Sequence, residues 1–143
     1  MPKTTVSTLV EAPADDVWGL IRDFNGLGDW HPHMPPSRIE GGGPADAVGA
    51  VRIFSIGGTE IRETLLAFDE EGRSYTFSLP DGVFPLRNYR ASLRVLPVTE
   101  LNGSFVEWSA TYDVEAAAER DMAESARGVF SAGLAALRAR FAR

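Results

Sequence analysis

The hydrophobic pattern of the chain changes period once, near residue 115, and this change limits the folds that the chain can adopt. From Val48 to Val114, apolar and polar residues alternate in short segments separated by glycine-containing turns, which is typical of antiparallel strands. Beyond that point, apolar residues recur at helical spacing as far as Phe141. Consecutive strands followed by one long helix predict an α+β fold, in which the helix covers one face of a sheet.

The alternation predicts about six strands, and a further outer strand is expected at Arg38–Glu40. The pairs Gly57-Gly58 and Asn102-Gly103 are typical of tight hairpin turns. Because polar residues alternate with apolar ones, we expect one buried and one solvated face. The six segments are Thr4–Val10, Ala50–Ile56, Glu60–Phe68, Ser74–Leu79, Leu86–Leu96 and Ser104–Val114.

A short helix is predicted directly after the first strand. Pro13 suits the first turn of a helix, where its missing N–H costs nothing, and the acids Asp15 and Asp16 follow where the helix dipole favours them. The apolar stripe of this helix ends near Asp23. A second irregular helical turn and then a loop are expected up to Pro32, which prevents a helix from continuing.

The last segment is predicted as a helix over Glu119–Ala142, about 35 Å long. Its apolar stripe contains the small residues Ala126 and Gly133, and small residues facing a curved sheet leave volume unfilled. We therefore expect a cavity between helix and sheet. The alternative is that Gly133 lets the helix pack closely on the sheet without a void. The stripe comprises Met122, Ala126, Val129, Phe130, Gly133, Leu137 and Phe141.

Composition excludes several classes of function. The 143 residues fit one domain, residues 1–143, and the net charge of -6 argues against binding nucleic acid or an anionic membrane. There are no cysteines, so disulfides and thiolate chemistry are excluded. We find no signal peptide and no apolar run of membrane-spanning length, and expect a cytoplasmic protein without metal or cofactor.

Several motifs in this order resemble the START-like, or helix-grip, superfamily, known collectively as SRPBCC, which includes birch-pollen-allergen-type proteins and bacterial polyketide cyclase/dehydrase-like proteins. The resemblance covers essentially the whole chain, and the chain is most similar to the small bacterial members of the superfamily. It implies a seven-stranded antiparallel sheet gripping a C-terminal helix, two short helices after the first strand, and a ligand cavity. The motifs lie at residues 11–18, 23–32, 49–52, 61–69, 75–77, 88–89 and 106–109.

The segment Trp30-His31-Pro32-His33 contains both histidines of the chain and, by the resemblance, lies at the cavity mouth. Histidine is the residue type most easily suited to acid–base chemistry near neutral pH, so either imidazole is a candidate acid or base. Two histidines without cysteine are too few for a usual zinc site, so no metal is expected. The alternative is that Trp30 packs in the core while the histidines are surface loop residues.

One strand carries the charged residues Glu60, Arg62 and Glu63. By the two-residue period, Glu60 and Arg62 share one face and Glu63 lies on the other. Glu63 is therefore a further candidate acid or base, and the alternative is a solvated cross-strand charge network.

Aromatic and polar side chains of the strands are expected to line the cavity with residues from the loop and the long helix. Buried tyrosine and tryptophan need a partner for their O–H or N–H, and either a ligand or the protein core supplies it. The predicted ligand-binding residues are Trp30, His31, His33, Met34, Tyr75, Phe77, Asn88, Tyr89, Trp108, Tyr112, Met122, Ala126, Phe130 and Gly133.

Three functions follow from these features. The leading hypothesis is the binding or transport of a small hydrophobic molecule, such as a lipid, a polyketide or an aromatic metabolite. The second is a polyketide cyclase/dehydratase-like enzyme that uses a cavity His, Glu or Tyr as acid–base. The third is a co-chaperone-like interaction module, which requires an exposed apolar patch that the clean strand alternation does not favour.

Overall fold

The computed structural model describes residues 1–143, and it contains seven strands and three α-helices joined by short 3₁₀ turns. The strands are β1 (Lys3–Val10), β2 (Arg38–Ile39), β3 (Val51–Ile56), β4 (Thr59–Asp69), β5 (Ser74–Ser78), β6 (Arg87–Val98) and β7 (Gly103–Asp113). The helices are α1 (Ala14–Ile21), α2 (Leu27–Trp30) and α3 (Ala116–Arg140).

All seven strands form one antiparallel sheet in the order β1-β7-β6-β5-β4-β3-β2. The predicted α+β helix-grip architecture is therefore confirmed: the sheet curves around α3, and the two short helices follow β1. Irregularities in register occur in two pairings, between Leu65 and Ala67 of β4 and between Arg87 and Arg90 of β6. Bulges of this kind bend a strand and increase its local twist.

The hairpin between β3 and β4 fixes the register of the sheet near its β2 edge. Gly57 and Gly58 both have positive φ, 57° and 82°, as the tightest hairpin turns require. Residues equally distant from this turn consequently face each other, and Arg52 pairs with Glu63. The turn therefore places a basic and an acidic side chain opposite each other on the same face of the sheet.

The long helix begins three residues before its predicted start at Glu119 and ends before its predicted end at Ala142. The early start follows from the high helix propensity of the alanines at 116–118, which places Glu119 in the first turn beside the positive end of the helix dipole. At the other end, Arg138 and Arg140 lie in the last turn, where the dipole favours cations.

The apolar stripe of α3 divides into two parts. Its C-terminal half is densely packed, with Phe130, Gly133, Leu134 and Leu137 buried against the sheet and the short helices. Its N-terminal half, from Met122 to Val129, is only partly buried. The prediction of one continuous stripe was thus correct in position, but its two halves have different surroundings. No helix of the structure is long and apolar enough to span a membrane.

Candidate functional site

A cavity of about 200 Å³ lies between the N-terminal half of α3 and the concave face of the sheet. Fifteen of its 18 lining residues are hydrophobic, and Ile56 and Phe84 are partly exposed at its rim. The lining residues are Leu27, Met34, Arg52, Phe54, Ile56, Ile61, Glu63, Phe77, Leu79, Phe84, Leu86, Tyr89, Trp108, Met122, Ser125, Ala126, Val129 and Phe130.

Half of the residues predicted to bind ligand line this cavity, and the other half do not. Those on the cavity wall are Met34, Phe77, Tyr89, Trp108, Met122, Ala126 and Phe130. Those elsewhere in the fold are Trp30, His31, His33, Tyr75, Asn88, Tyr112 and Gly133. A role in ligand binding stays a prediction for the first group, and for the second group the expected place on the cavity wall was wrong.

The missing Cβ of Gly133 is used for close packing and does not create the cavity. A Cβ at this position would lie 2.8 Å from both His31 Cδ2 and Trp108 Cζ3, and 3.2 Å from Trp30 Cζ3. The close packing of the alternative interpretation is therefore confirmed at Gly133, whereas its absence of a void is wrong for the helix as a whole. The cavity instead lies two to three helical turns earlier, beside Ala126 and Met122.

His31 is a buried structural residue that connects the loop after α2 to the long helix. Its Nε2–H donates to the Val129 carbonyl at 2.7 Å, and its Nδ1 accepts from the His33 backbone N–H at 3.1 Å. Both ring nitrogens are thus occupied in the neutral tautomer. Burial lowers the pKa of His31 below its usual value, because the charged form loses hydration. His33 is exposed on the loop, as the alternative interpretation expected.

The other misplaced residues form hydrogen bonds or pack within the protein. The hydroxyls of Tyr112 and Thr4 share a buried hydrogen bond of 2.8 Å. Asn88 lies at the surface and donates from its side chain to Asp113 at 2.7 Å. Tyr75 packs edge-on against Phe24 in the core. Trp30 is also a core residue, tilted against Trp108 at a centroid distance of 6.0 Å.

A buried ion pair between Arg52 and Glu63 forms the polar part of the cavity wall. The Arg52 Nε donates to Glu63 Oε1 at 2.7 Å, and its Nη1 donates to the Phe24 carbonyl at 2.8 Å. Its Nη2 also lies 2.7 Å from Oε1, but its N–H groups make no hydrogen bond there. The exposed fractions are 1% for Arg52 and 7% for Glu63. Burial lowers the pKa of Arg52, but the charge of Glu63 and the interactions with Tyr75 together outweigh it, and the net direction is upward.

Two aromatic rings hold the guanidinium of Arg52 in place. Its carbon Cζ lies 4.1 Å from the centre of the Phe24 ring and 4.6 Å from that of Phe77. Cation–π contacts of this kind are strongest where water is excluded. By contrast, Glu60 and Arg62 lie on the solvated face, where Arg62 pairs with both Glu40 and Glu60. The structure therefore confirms the predicted division, with Glu63 on the inner face of the sheet and Glu60 and Arg62 on the outer face.

Tyr89 reaches the cavity from a bulged part of β6. Asn88 adopts a positive φ of 54°, and the pairing with β7 shifts between Arg87 and Arg90. The extra residue in β6 at this bulge reverses the alternation of side chains between the two faces of the sheet. As a result, both Leu86 and Tyr89 line the cavity. The Tyr89 ring stacks on Tyr112 at 6.2 Å. Burial raises the pKa of Tyr89, and the nearby charge of Glu63 adds to this effect.

Sequence reasoning did not single out Arg52 as a site residue. The signal that would have found it is the Gly57-Gly58 hairpin, which places Arg52 opposite Glu63. Apolar wall residues such as Phe54 and Leu86 carry no comparable signal, because they have the composition of any core. The other wall residues that were not predicted are Leu27, Ile56, Ile61, Leu79, Phe84, Ser125 and Val129. No three His, Cys, Asp or Glu side chains lie together in a metal-binding arrangement.

This architecture, a curved sheet gripping one long helix with an apolar cavity between them, defines a helix-grip ligand-binding domain. The family model described as "Polyketide cyclase / dehydrase and lipid transport" matches residues 1–142. The chain belongs to that family. The SRPBCC resemblance is thereby confirmed, and no protein with curated annotation matches the chain.

Solved structures agree with this assignment. The chain is 34% identical to the protein XoxI from Bacillus cereus, with a TM-score of 0.87 over 99% of this chain and 96% of that one. It is 35% identical to a protein from Thermobifida fusca, with a TM-score of 0.89 over 99% and 93%. Norcoclaurine synthase from Thalictrum flavum, in complex with dopamine and hydroxybenzaldehyde, is 20% identical, with a TM-score of 0.73 over 96% and 84%. That last likeness concerns the fold alone.

Proposed function

We propose that this protein binds a small, largely apolar molecule in the cavity between the sheet and the N-terminal half of α3. The observation that carries the proposal is the cavity itself, about 200 Å³ with 15 hydrophobic residues among its 18 wall residues. Pockets for small molecules are typically apolar with a few polar groups that orient the ligand. The pair Arg52 and Glu63 supplies those groups here.

The arrangement of titratable groups favours binding over catalysis. Neither histidine lines the cavity, and both ring nitrogens of His31 are already hydrogen-bonded within the protein. Glu63 is the one carboxylate on the wall, and it is held in an ion pair with Arg52. The ion pair holds this carboxylate in place, and no second acidic side chain lines the cavity to share a proton with it.

A partner-protein function has less support than ligand binding. On the outer face of the sheet, Leu9 and Leu96 flank Phe105 across neighbouring strands, and both leucines are exposed. This row is only three side chains wide, whereas protein-binding surfaces need a broad apolar patch.

Blocking the cavity tests the proposal directly. Ala126→Phe fills the wall on α3, and Ala135→Phe places the same side chain on the exposed face of the same helix as a control. The wild-type protein, purified from cell extract, is expected to show a co-purifying small molecule by native mass spectrometry. It is also expected to gain thermal stability from apolar compounds in a ligand screen.

Ala126→Phe should lose both signals, while Ala135→Phe should retain them. A chemically unchanged molecule released from the protein supports binding, and accumulation of a converted product supports the enzyme alternative instead. If the wild type carries no molecule and no apolar compound shifts its unfolding temperature, the proposed function is wrong.

A further inference from the structure

Glu63 and Tyr89 each bring to the cavity wall a polar atom whose hydrogen-bonding capacity the protein does not use. Glu63 accepts hydrogen bonds through Oε1 only, and its Oε2 has no partner in the protein. The hydroxyl of Tyr89, whose side chain lines the cavity, likewise has no hydrogen-bond partner within the protein. Neither atom is fully buried, whereas Trp30 Nε1, Trp108 Nε1 and Arg52 Nη2 are fully buried and have no hydrogen-bond partner.

The chemistry of these two atoms selects the polar group of a ligand. Glu63 Oε2 accepts only, and the Tyr89 hydroxyl both donates and accepts. A ligand hydroxyl matches them, because it donates one hydrogen bond and accepts others. A carboxylate would face the negative charge of Glu63, and a carbonyl would leave Oε2 without a donor.

The charge balance of the wall selects against a cationic ligand. The charges of Glu63 and Arg52 compensate each other, and no further acidic side chain lines the cavity. An ammonium group would bring a second cation to the buried guanidinium without a second anion to balance it. The polar group of the ligand is therefore expected to be neutral.

The volume of the cavity limits the size of the apolar part of the ligand. Pockets for drug-sized molecules measure about 300–1,000 Å³, and an engineered cavity of about 150 Å³ holds benzene. A volume of about 200 Å³ therefore accommodates one substituted ring rather than a multi-ring polyketide or a diacyl lipid. Aromatic side chains line it on several sides, among them Phe54, Phe77, Trp108 and Phe130.

We infer that the preferred ligand class is a neutral, single-ring phenol or aromatic alcohol whose hydroxyl donates to Glu63 Oε2 and accepts from the Tyr89 hydroxyl. This inference rests on the proposed function, since it specifies what the same cavity takes. A site built around a ligand hydroxyl rejects the analogue without one, because the polar atoms of the protein are then buried without partners.

The test compares two ligands of nearly equal shape, 4-ethylphenol and 4-ethyltoluene, in which a methyl group replaces the hydroxyl. Dissociation constants are measured by NMR titration of the wild-type protein, with sodium 4-ethylbenzoate as an anionic probe. A hydrogen bond to a charged acceptor predicts that 4-ethylphenol binds about 10-fold more tightly than 4-ethyltoluene. No binding of 4-ethylbenzoate is expected.

Tyr89→Phe removes the cavity hydroxyl and is expected to reduce the phenol preference by about 3- to 5-fold. Tyr112→Phe is the matched control, because the Tyr112 ring stacks on Tyr89 while its hydroxyl binds Thr4 away from the cavity. That variant should keep the full preference. Circular dichroism of both variants establishes that they are folded.

Other outcomes separate the two proposals. If 4-ethyltoluene binds as tightly as 4-ethylphenol, or if Tyr89→Phe leaves the preference unchanged, the hydroxyl inference is overturned. If sodium oleate binds to the wild type but not to Ala126→Phe, and neither ring compound binds, the proposed function stands and the ligand class is wrong. If oleate and both ring compounds fail to bind, both proposals are wrong.

Discussion

Gly133 of α3 contacts the ring of His31 so closely that a Cβ at residue 133 would lie 2.8 Å from His31 Cδ2. The same approach lets His31 Nε2 reach the Val129 carbonyl, one helical turn before Gly133. The glycine therefore joins the loop after α2 to the long helix. This contact lies in the densely packed half of the domain, next to the half that contains the cavity.

The first prediction concerns this contact. Gly133→Ala should lower the free energy of unfolding, because the new methyl group would overlap His31 and Trp108, and overpacking of a core typically costs about 1–3 kcal/mol. Gly128→Ala is the matched control in the same helix, since nothing lies within 4 Å of its added Cβ. That variant should gain up to about 1 kcal/mol from helix propensity. Chemical denaturation of both variants measures the difference, and equal changes in the two would contradict the packing role.

The second prediction is a loss of stability in mild acid that depends on His31. Burial lowers the pKa of this imidazole in the folded protein, so that the unfolded chain binds a proton more readily. The contribution of the neutral ring to the free energy of unfolding has its full value above the pKa of the unfolded chain, about 6.5. It decreases as the pH falls from there toward the pKa of the folded protein. One proton limits the slope to about 1.4 kcal/mol per pH unit.

Denaturant unfolding between pH 8 and pH 5 measures this slope. His31→Gln should unfold more easily at pH 8 and show a shallower loss between pH 6.5 and pH 5. His33→Gln should retain most of the wild-type slope, because burial is the main cause of the lowered His31 pKa and the charge of the neighbouring His33 ring is a smaller one. Equal slopes in the two variants would mean that other groups cause the acid sensitivity.

The sequence was sufficient to predict the elements whose periodicity is regular. Alternation along β6 and β7 fixed which residues face inward, including Leu93 and Trp108, and the helical stripe identified α3. Periodicity does not distinguish a side chain that fills a core from one that borders a void. For that reason Gly133 was assigned to the cavity, although its missing Cβ accommodates an aromatic contact.

The polar part of the site was partly predictable. Glu63 was identified because its face follows from the two-residue period of a strand. Arg52 was not, because an arginine among apolar residues of β3 has the pattern of an outward-facing side chain. Its inward position depends on two rings from distant parts of the chain, Phe24 and Phe77, which cover the guanidinium. Such contacts depend on tertiary packing and have no local sequence pattern.

The third prediction follows from the burial of the ion pair. Arg52→Met should lower the free energy of unfolding by about 3–5 kcal/mol, because it leaves the Glu63 carboxylate buried without its partner. The double variant Arg52→Met/Glu63→Leu should recover most of that loss, since apolar replacements of a buried pair are often tolerated. Arg62→Met, on the exposed face of β4, should change stability little.

Thermal and denaturant unfolding of these variants give the comparison. The pair is predicted to contribute more to ligand selection than to stability. The double variant should therefore be folded, but its preference for 4-ethylphenol over 4-ethyltoluene should fall to the part that the Tyr89 hydroxyl supplies. A double variant as unstable as Arg52→Met would contradict the assignment of the loss to an unpaired charge.

The fourth prediction links the bulge in β6 to the shape of the cavity. Asn88 holds a positive φ of 54° that asparagine and glycine tolerate but β-branched residues do not, and its side chain donates to Asp113. Asn88→Gly should keep the bulge and the binding of cavity ligands.

Asn88→Val strains the backbone at this residue and should shift Tyr89, which follows directly in the strand and lines the cavity. NMR titration with 4-ethylphenol should show weaker binding to Asn88→Val, with the Tyr89 ring resonances shifted, while Asn88→Gly resembles the wild type. Equal weakening in both variants would instead point to the lost hydrogen bond with Asp113, because neither replacement can donate it.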